Sequence, residues 1–368
     1  MKEVLVVIQL VRRGGVEIVA INFAKQLQSL KKYNISFLLI NPNEHQDEEL
    51  YSQLKADGFN IYEVDKSAKG YLGKFRFLNS FFKSHHFDVV HSHVIFFSGI
   101  VLSAAKLNGV KTRIAHSHII KRNEAENVQY KLYKTIMRAL INACANYKLA
   151  CSIDAGFFLY GKKTYEKNGI FIPNGIDIKK YEFNPEYRNE IRNEFGIEEN
   201  AVFIGHIGTI YRIKNQTFLL DIFNNILNEL PDAKLIMVGE ENEKESVIEK
   251  AERLGIYDRI IIAGPRADVY KMYQAFDIMV FPSLHEALPV SLIEAQASKL
   301  PCLISDTITR EVIFNSNMDF FSLDEDAASW ANKALSMLRE NRENISIEKL
   351  RKTYDLKNVV NLLVEIYG

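Results

Sequence analysis

Residues 278–306, "IMVFPSLHEALPVSLIEAQASKLPCLISD", contain in order a strand pattern, a loop, a helix pattern and a second strand pattern. The outer segments, 278–283 and 301–306, are short apolar runs that predict strands buried on both faces. The positions that share one side of the helix between them are apolar: Val290, Ile293, Ala297 and Leu300. Because parallel strands need a crossover connection, this order predicts a parallel strand–helix–strand unit.

The same alternation continues through both halves of the chain. Further strand patterns occupy residues 4–10, 35–40, 88–93, 112–118, 147–152, 201–208, 233–239 and 259–264. Helix patterns lie between them, as in 15–30. The fold class predicted is α/β, with two Rossmann-like, doubly wound parallel-sheet domains. Ligands of such folds bind beyond the carboxyl ends of the strands, so we expect an active site in a cleft between two facing sheets.

The length of 368 residues favours two domains. The turn residues of "IPNGID" (172–177) predict a boundary between 1–172 and 173–354. The C-terminal segment, about 355–368, contains an amphipathic helix pattern at 357–367. We expect this helix to pack back on the first domain.

The composition is typical of a globular protein, with 47% hydrophobic and 25% charged residues. The net charge is zero, but residues 1–172 hold 24 basic and 14 acidic side chains, and the remainder holds 22 and 32. The three cysteines lack metal-type spacing, which predicts reduced, buried thiols. The N-terminus does not resemble a signal peptide, and the apolar run 94–105 is too short to span a bilayer. We expect a cytoplasmic chain, with peripheral contact to the inner face of the membrane at most.

The first half offers two candidate ligand contacts. Gly14 and Gly15 follow the first strand, where they permit positive φ and a close approach to a ligand at the helix start; a tight turn is the alternative. Histidines 91, 93, 116 and 118 end two strands near the expected cleft. An i, i+2 pair on a strand is split or extended rather than placed to chelate tightly, and no carboxylate cluster accompanies the histidines, so we predict no metal. One histidine at each strand end should face the cleft, and we choose His118 for a ligand.

The second half places cations and acids around predicted helix starts. Arg212 and Lys214 lie between a strand and a helix, a setting that suits a diphosphate, although a solvated cation pair is the alternative. Pro289 suits a first helical turn, and the N–H groups around residues 288–291 can bind phosphate. Glu286 precedes this helix and Glu294 lies in its second turn, so each carboxylate can accept hydrogen bonds from one sugar ring. The alternatives are that Glu286 only complements the helix dipole and that Glu294 is an acid on the helix surface.

Together these segments resemble family-four retaining glycosyltransferases of the GT-B fold, in particular the bacterial capsule and exopolysaccharide type. The matching motifs follow in the expected order: "GGVE" (14–17), "AHSH" (115–118), "IPNGID" (172–177), "IKNQ" (213–216), "AGPRADV" (263–269) and "HEALPVSLIEAQASKLP" (285–301). The last contains the family's pair of glutamates separated by seven residues. The resemblance implies a hexosyltransferase that uses a nucleotide sugar, with UDP as the favoured carrier.

The resemblance also implies roles for individual residues. Gly14 and Gly15 would abut the donor diphosphate, and His118 would contact the donor sugar. The catalytic set would be His118, Lys214 on the diphosphate and Glu286 on sugar hydroxyls. Glu294 would hold the ribose and Arg266 would flank the base. The amides of residues 287–290, which include Leu288, Pro289 and Val290, would complete the phosphate site.

The chain departs from the family pattern at two positions. The family usually has Gly-Arg five residues before the motif lysine, with the arginine on the diphosphate, whereas this chain has Gly208 and Thr209. Arg212 is the candidate to replace that arginine. Ala287 stands where glycine is usual.

The expected mechanism is retaining transfer through an oxocarbenium-like transition state, with the leaving phosphate taking the acceptor's proton. No cofactor and no metal are required, because Lys214 and N–H groups stabilise the departing diphosphate. The two glutamates are not a glycosidase acid and nucleophile, since those flank one scissile bond.

The acceptor should be a glycan or a polyprenyl-linked saccharide. Segments 66–87 and 128–143 are basic and aromatic or amphipathic, which predicts contact with an anionic membrane surface; solvated helices with aromatics in the core are the alternative. No nucleic-acid module is present. Two competing functions are a sugar-nucleotide epimerase of the same fold and, given Thr209, a non-catalytic partner subunit of a glycosyltransferase.

Overall fold

The computed structural model of the protein describes residues 1–42, 46–118, 127–286, 288–338 and 342–368. The chain forms two units, 1–175 with 356–368, and 176–355. The predicted boundary at 172/173 lies three residues before this division. Each unit contains a parallel sheet with its own buried core, as the alternation of strands and helices predicts.

The first unit contains a seven-stranded sheet in the order β3-β2-β1-β4-β5-β6-β7, in which every pairing is parallel. Its strands are β1 (Lys2–Ile8), β2 (Tyr33–Leu39), β3 (Asn60–Glu63), β4 (Val89–Ser92), β5 (Thr112–Ser117), β6 (Tyr147–Ala150) and β7 (Gly169–Phe171). Its helices are α1 (Gly15–Ser29), α2 (Glu48–Ala56), α3 (Gly70–Ser84), α4 (Ser98–Leu107), α5 (Val128–Cys144), α6 (Ile153–Tyr160) and α7 (Lys162–Asn168).

The second unit contains a six-stranded parallel sheet in the order β10-β9-β8-β11-β12-β13. Its strands are β8 (Phe203–Ile207), β9 (Lys234–Val238), β10 (Ile260–Ile262), β11 (Ile278–Phe281), β12 (Cys302–Ser305) and β13 (Met318–Phe321). Its helices are α8 (Ile178–Tyr181), α9 (Pro185–Glu194), α10 (Gln216–Ile226), α11 (Lys244–Leu254), α12 (Val269–Ala275), α13 (Val290–Ala297), α14 (Ala327–Met337) and α15 (Glu348–Tyr354).

The C-terminal helix, α16 (Leu356–Tyr367), belongs to the first unit, where it packs against α1. Its apolar face buries Val359, Val360, Leu363 and Tyr367. The rings of Tyr367 and Tyr33 meet edge-on, with their centroids 5.7 Å apart. The backbone carbonyl of Tyr367 accepts a hydrogen bond from Lys2 Nζ. The C-terminal helix thus packs on the first unit because its apolar face is buried there.

Two sequence expectations about strands were wrong in part. The strands β3, β7 and β13 were not predicted; all three are short edge strands that are not fully buried. β10 was expected to be buried on both faces, yet its three isoleucines are only half-buried because it is also an edge strand. Edge strands lack a neighbour on one side, so their sequences do not require a continuous buried run.

Candidate active site

Lys214 and Glu286 contact each other in the second unit and form the centre of the candidate site. Lys214 Nζ lies 2.6 Å from Glu286 Oε1, with 20% and 15% of the two side chains exposed. This oxygen is buried and, among the described residues, accepts no aligned hydrogen bond, so the contact is a charge pair. The two residues follow β8 and β11, which are neighbours in the sheet, so they lie beyond the carboxyl ends of adjacent strands.

Two loop–loop hydrogen bonds bring this pair together. Leu284 N donates to Ile213 O at 2.8 Å, and Asn215 Nδ2 donates to Pro282 O at 3.1 Å. Asn215 has a left-handed backbone (φ 57°), a conformation that asparagine tolerates better than most residues. The loop after β8 is therefore tied to the loop after β11, which fixes the distance between the lysine and the glutamate.

Two glycines provide the space in which the lysine lies. A Cβ on Gly208 would lie 3.1 Å from Lys214 Cε, and a Cβ on Gly239 would lie 2.4 Å from Gly208 O. Gly239 also has a positive φ of 146°. The ends of β8 and β9 can approach this closely because Gly239 lacks a side chain, and the Lys214 side chain can lie against Gly208 for the same reason.

Arg212 lies in a 3₁₀ turn (Arg212–Lys214) and is exposed. No ion pair of Arg212 is found in the described part of the chain. Thr209, at the position of the family arginine, has its carbonyl hydrogen-bonded by the buried Gln216 Nε2 at 2.9 Å. Replacement of the missing arginine by Arg212 stays a prediction.

The start of α13 differs slightly from the prediction. Pro289 is the residue before the helix, with an extended ψ of 116°, and the first helical residue is Val290. The expectation that Pro289 lies inside the first turn was therefore wrong by one position. Leu288 is buried in the core of the unit. Ala287, the first residue of the predicted phosphate-binding amides, lies outside the described residues.

Glu294 lies in the second turn of α13, as expected, and both its carboxylate oxygens accept hydrogen bonds. Tyr181 Oη donates to Oε1 at 2.6 Å, and Tyr273 Oη donates to Oε2 at 2.7 Å. Burial raises the pKa of the Glu294 carboxyl, while the two phenols act in the opposite direction. As a whole residue, Glu294 is partly exposed.

Arg266 is held by two carboxylates. It pairs with Glu194 at 2.6 Å and with Asp268 at 2.7 Å, and its guanidinium lies over the ring of Phe195. The hydrogen bonds to Asp268 and Glu194 raise the pKa of Arg266. The charge of Arg266 thus has partners within the protein, and a contact to the nucleotide base stays a prediction.

In the first unit, Gly14 precedes α1 and Gly15 is its first residue. The reason given for them was wrong in one respect: Gly14 has a φ of −83°, and Gly15 is not among the residues with positive φ. A Cβ on Gly14 would lie 2.7 Å from Glu17 Oε2, whereas a Cβ on Gly15 would meet no atom within 4 Å. The open space at Gly15 is compatible with an approaching ligand.

The four histidines of the HSH pairs form one buried, hydrogen-bonded cluster; that one histidine of each pair faces a ligand stays a prediction. His91 Nε2 lies 3.1 Å from His116 Nδ1, and His93 Nδ1 lies 2.8 Å from His118 Nε2. The i, i+2 spacing does not split a pair, because alternate residues point to the same face of a strand. The rings of His91 and His93 are 4.2 Å apart.

His118 has both ring nitrogens occupied. Its Nδ1 lies 2.9 Å from Asn174 Oδ1, an oxygen that only accepts, so Nδ1 carries the proton and Nε2 accepts from His93. A hydrogen bond from His118 to a donor sugar, which stays a prediction, would require one of these bonds to be exchanged.

Burial keeps the four histidines neutral. It lowers the pKa of His91 to about 3 and that of His118 to about 4, and it also lowers those of His93 and His116. Ring nitrogens of His91, His93 and His116 lie within 4.8 Å of one another, a spacing open to a metal. Two of these rings also contact each other through His91 Nε2 and His116 Nδ1, at 3.1 Å. The absence of a metal stays a prediction.

Three residues of these networks were not predicted as site residues: Asn174, Tyr181 and Tyr273. Asn174 was noted only as part of a turn. The tyrosines are 113 and 21 residues from Glu294 in sequence, so no spacing rule connects them. Only the folded second unit brings α8, α12 and α13 together.

Two family models match the chain and between them cover most of its length. "Glycosyltransferase Family 4" matches residues 13–180, and "Glycosyl transferases group 1" matches residues 187–354. The Bacillus subtilis (strain 168) protein "Putative glycosyltransferase EpsF" is 31% identical over 100% of this chain and 96% of its own length. The "Capsular polysaccharide biosynthesis glycosyltransferase CapH" of Staphylococcus aureus is 26% identical over 96% of this chain and 95% of its own.

Among solved structures, HepE of Anabaena, crystallised with UDP and glucose, matches with a TM-score of 0.83. The match covers 99% of each chain at 18% identity, so it shows only that the two folds are alike. The fold is GT-B, built from two Rossmann-like domains, as the sequence predicted. The chain belongs to glycosyltransferase family four and is a glycosyltransferase.

Proposed function

We propose that this enzyme transfers a hexose from a UDP-linked donor, with retention of configuration, to a saccharide acceptor in surface polysaccharide synthesis. The observation that carries the proposal is the pair of Lys214 and Glu286, held 2.6 Å apart at the carboxyl ends of β8 and β11. UDP is favoured because HepE, which has the same fold, was crystallised with it. The relative CapH supports a role in polysaccharide synthesis.

In this proposal the two side chains act on different parts of the donor. Lys214 binds the diphosphate, whose charge grows as the glycosidic bond breaks, so its effect is larger in the transition state than in the ground state. Glu286 accepts hydrogen bonds from the sugar hydroxyls. Their contact in the ligand-free protein keeps the ammonium paired until a phosphate takes its place.

Retention follows from attack on the face that the diphosphate leaves. The leaving phosphate oxygen accepts the proton of the acceptor hydroxyl, and no protein carboxylate forms a covalent bond to the sugar. The anomeric configuration of the product, read by proton NMR immediately after transfer, tests this step. An inverted product would contradict it.

No metal is required in this proposal, since Lys214 and backbone N–H groups supply the positive charge. The test is donor turnover in excess EDTA by the unaltered protein, Lys214→Ala and Glu286→Ala. Lys250→Ala is the matched control, because Lys250 forms a 2.5 Å ion pair with Asp221 and is 19% exposed. We expect roughly 100-fold losses for the two site variants and little change for the control.

Three other outcomes of this assay would each contradict part of the proposal. Undiminished turnover by either site variant removes that residue from the proposal. Loss of activity in EDTA that Mg²⁺ restores contradicts metal independence. Release of a free, epimerised nucleotide sugar without an acceptor would identify an epimerase instead.

The acceptor is proposed to be lipid-linked, presented at an anionic membrane surface. Most phenylalanines of segment 66–87 are in or against the core, which is the alternative interpretation for that helix. The exposed apolar residues that remain lie at the start of α3 and along α5: Tyr71, Leu72, Val128, Tyr130, Leu132 and Ile136. We call these six residues the α3–α5 surface; the lysines at 69, 131 and 134 accompany them in sequence.

The α3–α5 surface joins parts of two helices. The Tyr71 ring stacks on Tyr133 at 4.9 Å, and Lys134 lies over the Tyr130 ring. Within the described part of the chain, no helix is both long enough and apolar enough to cross a bilayer. Apolar side chains beside lysines suit a surface-bound mode, with electrostatic attraction to anionic lipids.

Sedimentation with vesicles tests this surface. We expect the unaltered protein to bind vesicles that contain anionic lipid more tightly than neutral ones at low salt. Leu132→Ser combined with Ile136→Ser should reduce binding. Leu107→Ser is the control, because Leu107 is 71% exposed at the end of a different helix, α4. Equal binding to both kinds of vesicle rejects the surface.

A further inference from the structure

The carboxylate of Glu294 is oriented by two tyrosines. Tyr181 ends α8 and Tyr273 lies in α12, and each donates its phenolic hydrogen to a different oxygen of the carboxylate, at 2.6 and 2.7 Å. Hydrogen bonds of this length to a charged acceptor are stronger than those between neutral groups. Two such bonds on opposite oxygens fix the carboxylate plane.

The phenols are suited to act only as donors. Burial, together with the neighbouring carboxylate, raises the pKa of both Tyr181 and Tyr273 well above the ordinary value. Both groups therefore keep their protons at any physiological pH. Burial also raises the pKa of Glu294, and the hydrogen bonds from the phenols oppose that shift and favour the charged form.

A second set of hydrogen bonds ties the three helices together behind the carboxylate. The buried Gln274 Nε2 donates to Tyr181 O at 3.0 Å and to Ser298 Oγ at 3.3 Å. Ser298 Oγ in turn donates to Glu294 O at 3.2 Å. The tyrosine backbone and the glutamate backbone thus share one buried network, which limits how far either can move.

The carboxylate nevertheless has capacity for a ligand. Each carboxylate oxygen has two lone pairs, and each tyrosine uses one. As a whole residue Glu294 is partly exposed, whereas Tyr273 is fully buried. Two adjacent acceptors at a fixed spacing are the complement of two vicinal hydroxyl groups.

We propose that Tyr181 and Tyr273 are positioning residues that hold Glu294 for the two ribose hydroxyls of the donor nucleotide. This inference rests on the proposed function, in which Glu294 binds the ribose. Because the carboxylate is already oriented, a nucleotide binds without the cost of ordering it. The tyrosines therefore contribute to the preference for ribose over deoxyribose, although neither needs to touch the nucleotide.

The test compares the affinities of UDP and 2′-deoxy-UDP, measured by isothermal titration calorimetry on the full chain. The unaltered protein should prefer UDP by roughly tenfold, the effect of one hydrogen bond to a charged group. In Tyr181→Phe/Tyr273→Phe, UDP should weaken by roughly tenfold while 2′-deoxy-UDP changes less than about twofold, so the preference is lost. Each single variant should show part of the effect.

Tyr270→Phe is the matched control. Tyr270 lies on the same helix as Tyr273, and its ring packs against Tyr187 and Lys180. This variant should keep both the affinity for UDP and the preference. The unfolding temperature of every variant, followed by circular dichroism, separates a folding defect from a binding defect.

The outcomes distinguish this inference from the proposed function. If the unaltered protein prefers ribose and the double variant keeps that preference, the positioning role is wrong and the role of Glu294 stands. If both nucleotides weaken equally in a folded double variant, the tyrosines are merely structural, which also refutes the inference. If the unaltered protein shows no preference or does not bind UDP, the proposed role of Glu294 fails, and the role of the tyrosines fails with it.

Discussion

Acidification should unfold the first unit before the second, because the first contains four buried neutral histidines. His91, His93, His116 and His118 have pKa values lowered by burial, to about 3 for His91 and about 4 for His118. In the unfolded chain each would take up a proton near pH 6.5. Their contribution to stability is therefore complete above that pH and is lost as the pH falls toward their native values.

The expected loss is large compared with the stability of a domain. At pH 5.5, each ring that is protonated only in the unfolded chain costs about 1.4 kcal/mol, so four rings cost about 5–6 kcal/mol. Domains are commonly stable by about 5–15 kcal/mol. Among the described histidines of the second unit, only His206 is buried, with a pKa of about 4, so the matching loss there is about 1.4 kcal/mol.

The single tryptophan allows the two units to be followed separately. Trp330 is fully buried in the second unit, and the chain has no other tryptophan. Urea unfolding at a series of pH values, followed by Trp330 fluorescence and by far-UV circular dichroism, reports the second unit alone and both units together. Between pH 7.5 and 5.5 the circular dichroism should develop an early transition that the fluorescence lacks.

The histidine count can be tested within the same experiment. His116→Gln removes one titrating ring, so the loss of stability of the early transition between pH 7.5 and 5.5 should be smaller by about 1.4 kcal/mol. Coincident fluorescence and circular dichroism transitions at pH 5.5 that shift together would refute the reasoning. An early transition with no pH dependence would refute it as well.

Two further predictions concern the loops around Lys214. Gly239→Ala should destabilise the second unit by about 2–4 kcal/mol in urea unfolding followed by fluorescence, because its Cβ would lie 2.4 Å from Gly208 O. Gly255→Ala is the control, because its φ is also positive, at 69°, but its Cβ would meet no atom within 4 Å. This variant should cost only about 1 kcal/mol. Equal destabilisation by the two variants would contradict the packing argument. Arg212→Ala should lower kcat/KM for the donor roughly tenfold or more if Arg212 replaces the arginine missing at Thr209, and an unchanged kcat/KM would exclude that replacement.

Buried sheet strands were the part of the fold that the sequence predicted best. Central strands such as β1 and β8 are buried along most of their length, as expected for parallel strands covered on both faces. The edge strands β3, β7, β10 and β13 lack that constraint, so three were not predicted and one was predicted to be more buried than it is.

The sequence also predicted some features of the candidate site and not others. Lys214 and Glu286 could be predicted because each belongs to a contiguous motif that follows a strand. The contact between them could not be predicted, since it depends on hydrogen bonds between two loops about 70 residues apart, such as that from Asn215 to Pro282. The histidines were noticed as a pattern, but their arrangement depends on which faces of β4 and β5 adjoin in the sheet.

The tyrosines around Glu294 had no local signal at all. No motif in the sequence marks Tyr181 or Tyr273, and their hydroxyl groups reach Glu294 only because three helices pack together. Long-range polar networks of this kind are set by tertiary structure, so neither periodicity nor spacing predicts them.

The central claim is that the second unit binds a sugar nucleotide through Lys214 and Glu286. The most direct measurement is the unfolding temperature by Trp330 fluorescence, with a panel of uridine- and guanosine-linked sugars, for the unaltered protein and for Lys214→Ala. At 100 times Kd a ligand stabilises by about 2.7 kcal/mol, so a UDP-sugar should raise the unfolding temperature by several degrees. That increase should be absent in Lys214→Ala and present in Lys250→Ala. No increase with any sugar nucleotide, or an equal increase in Lys214→Ala, would contradict the account.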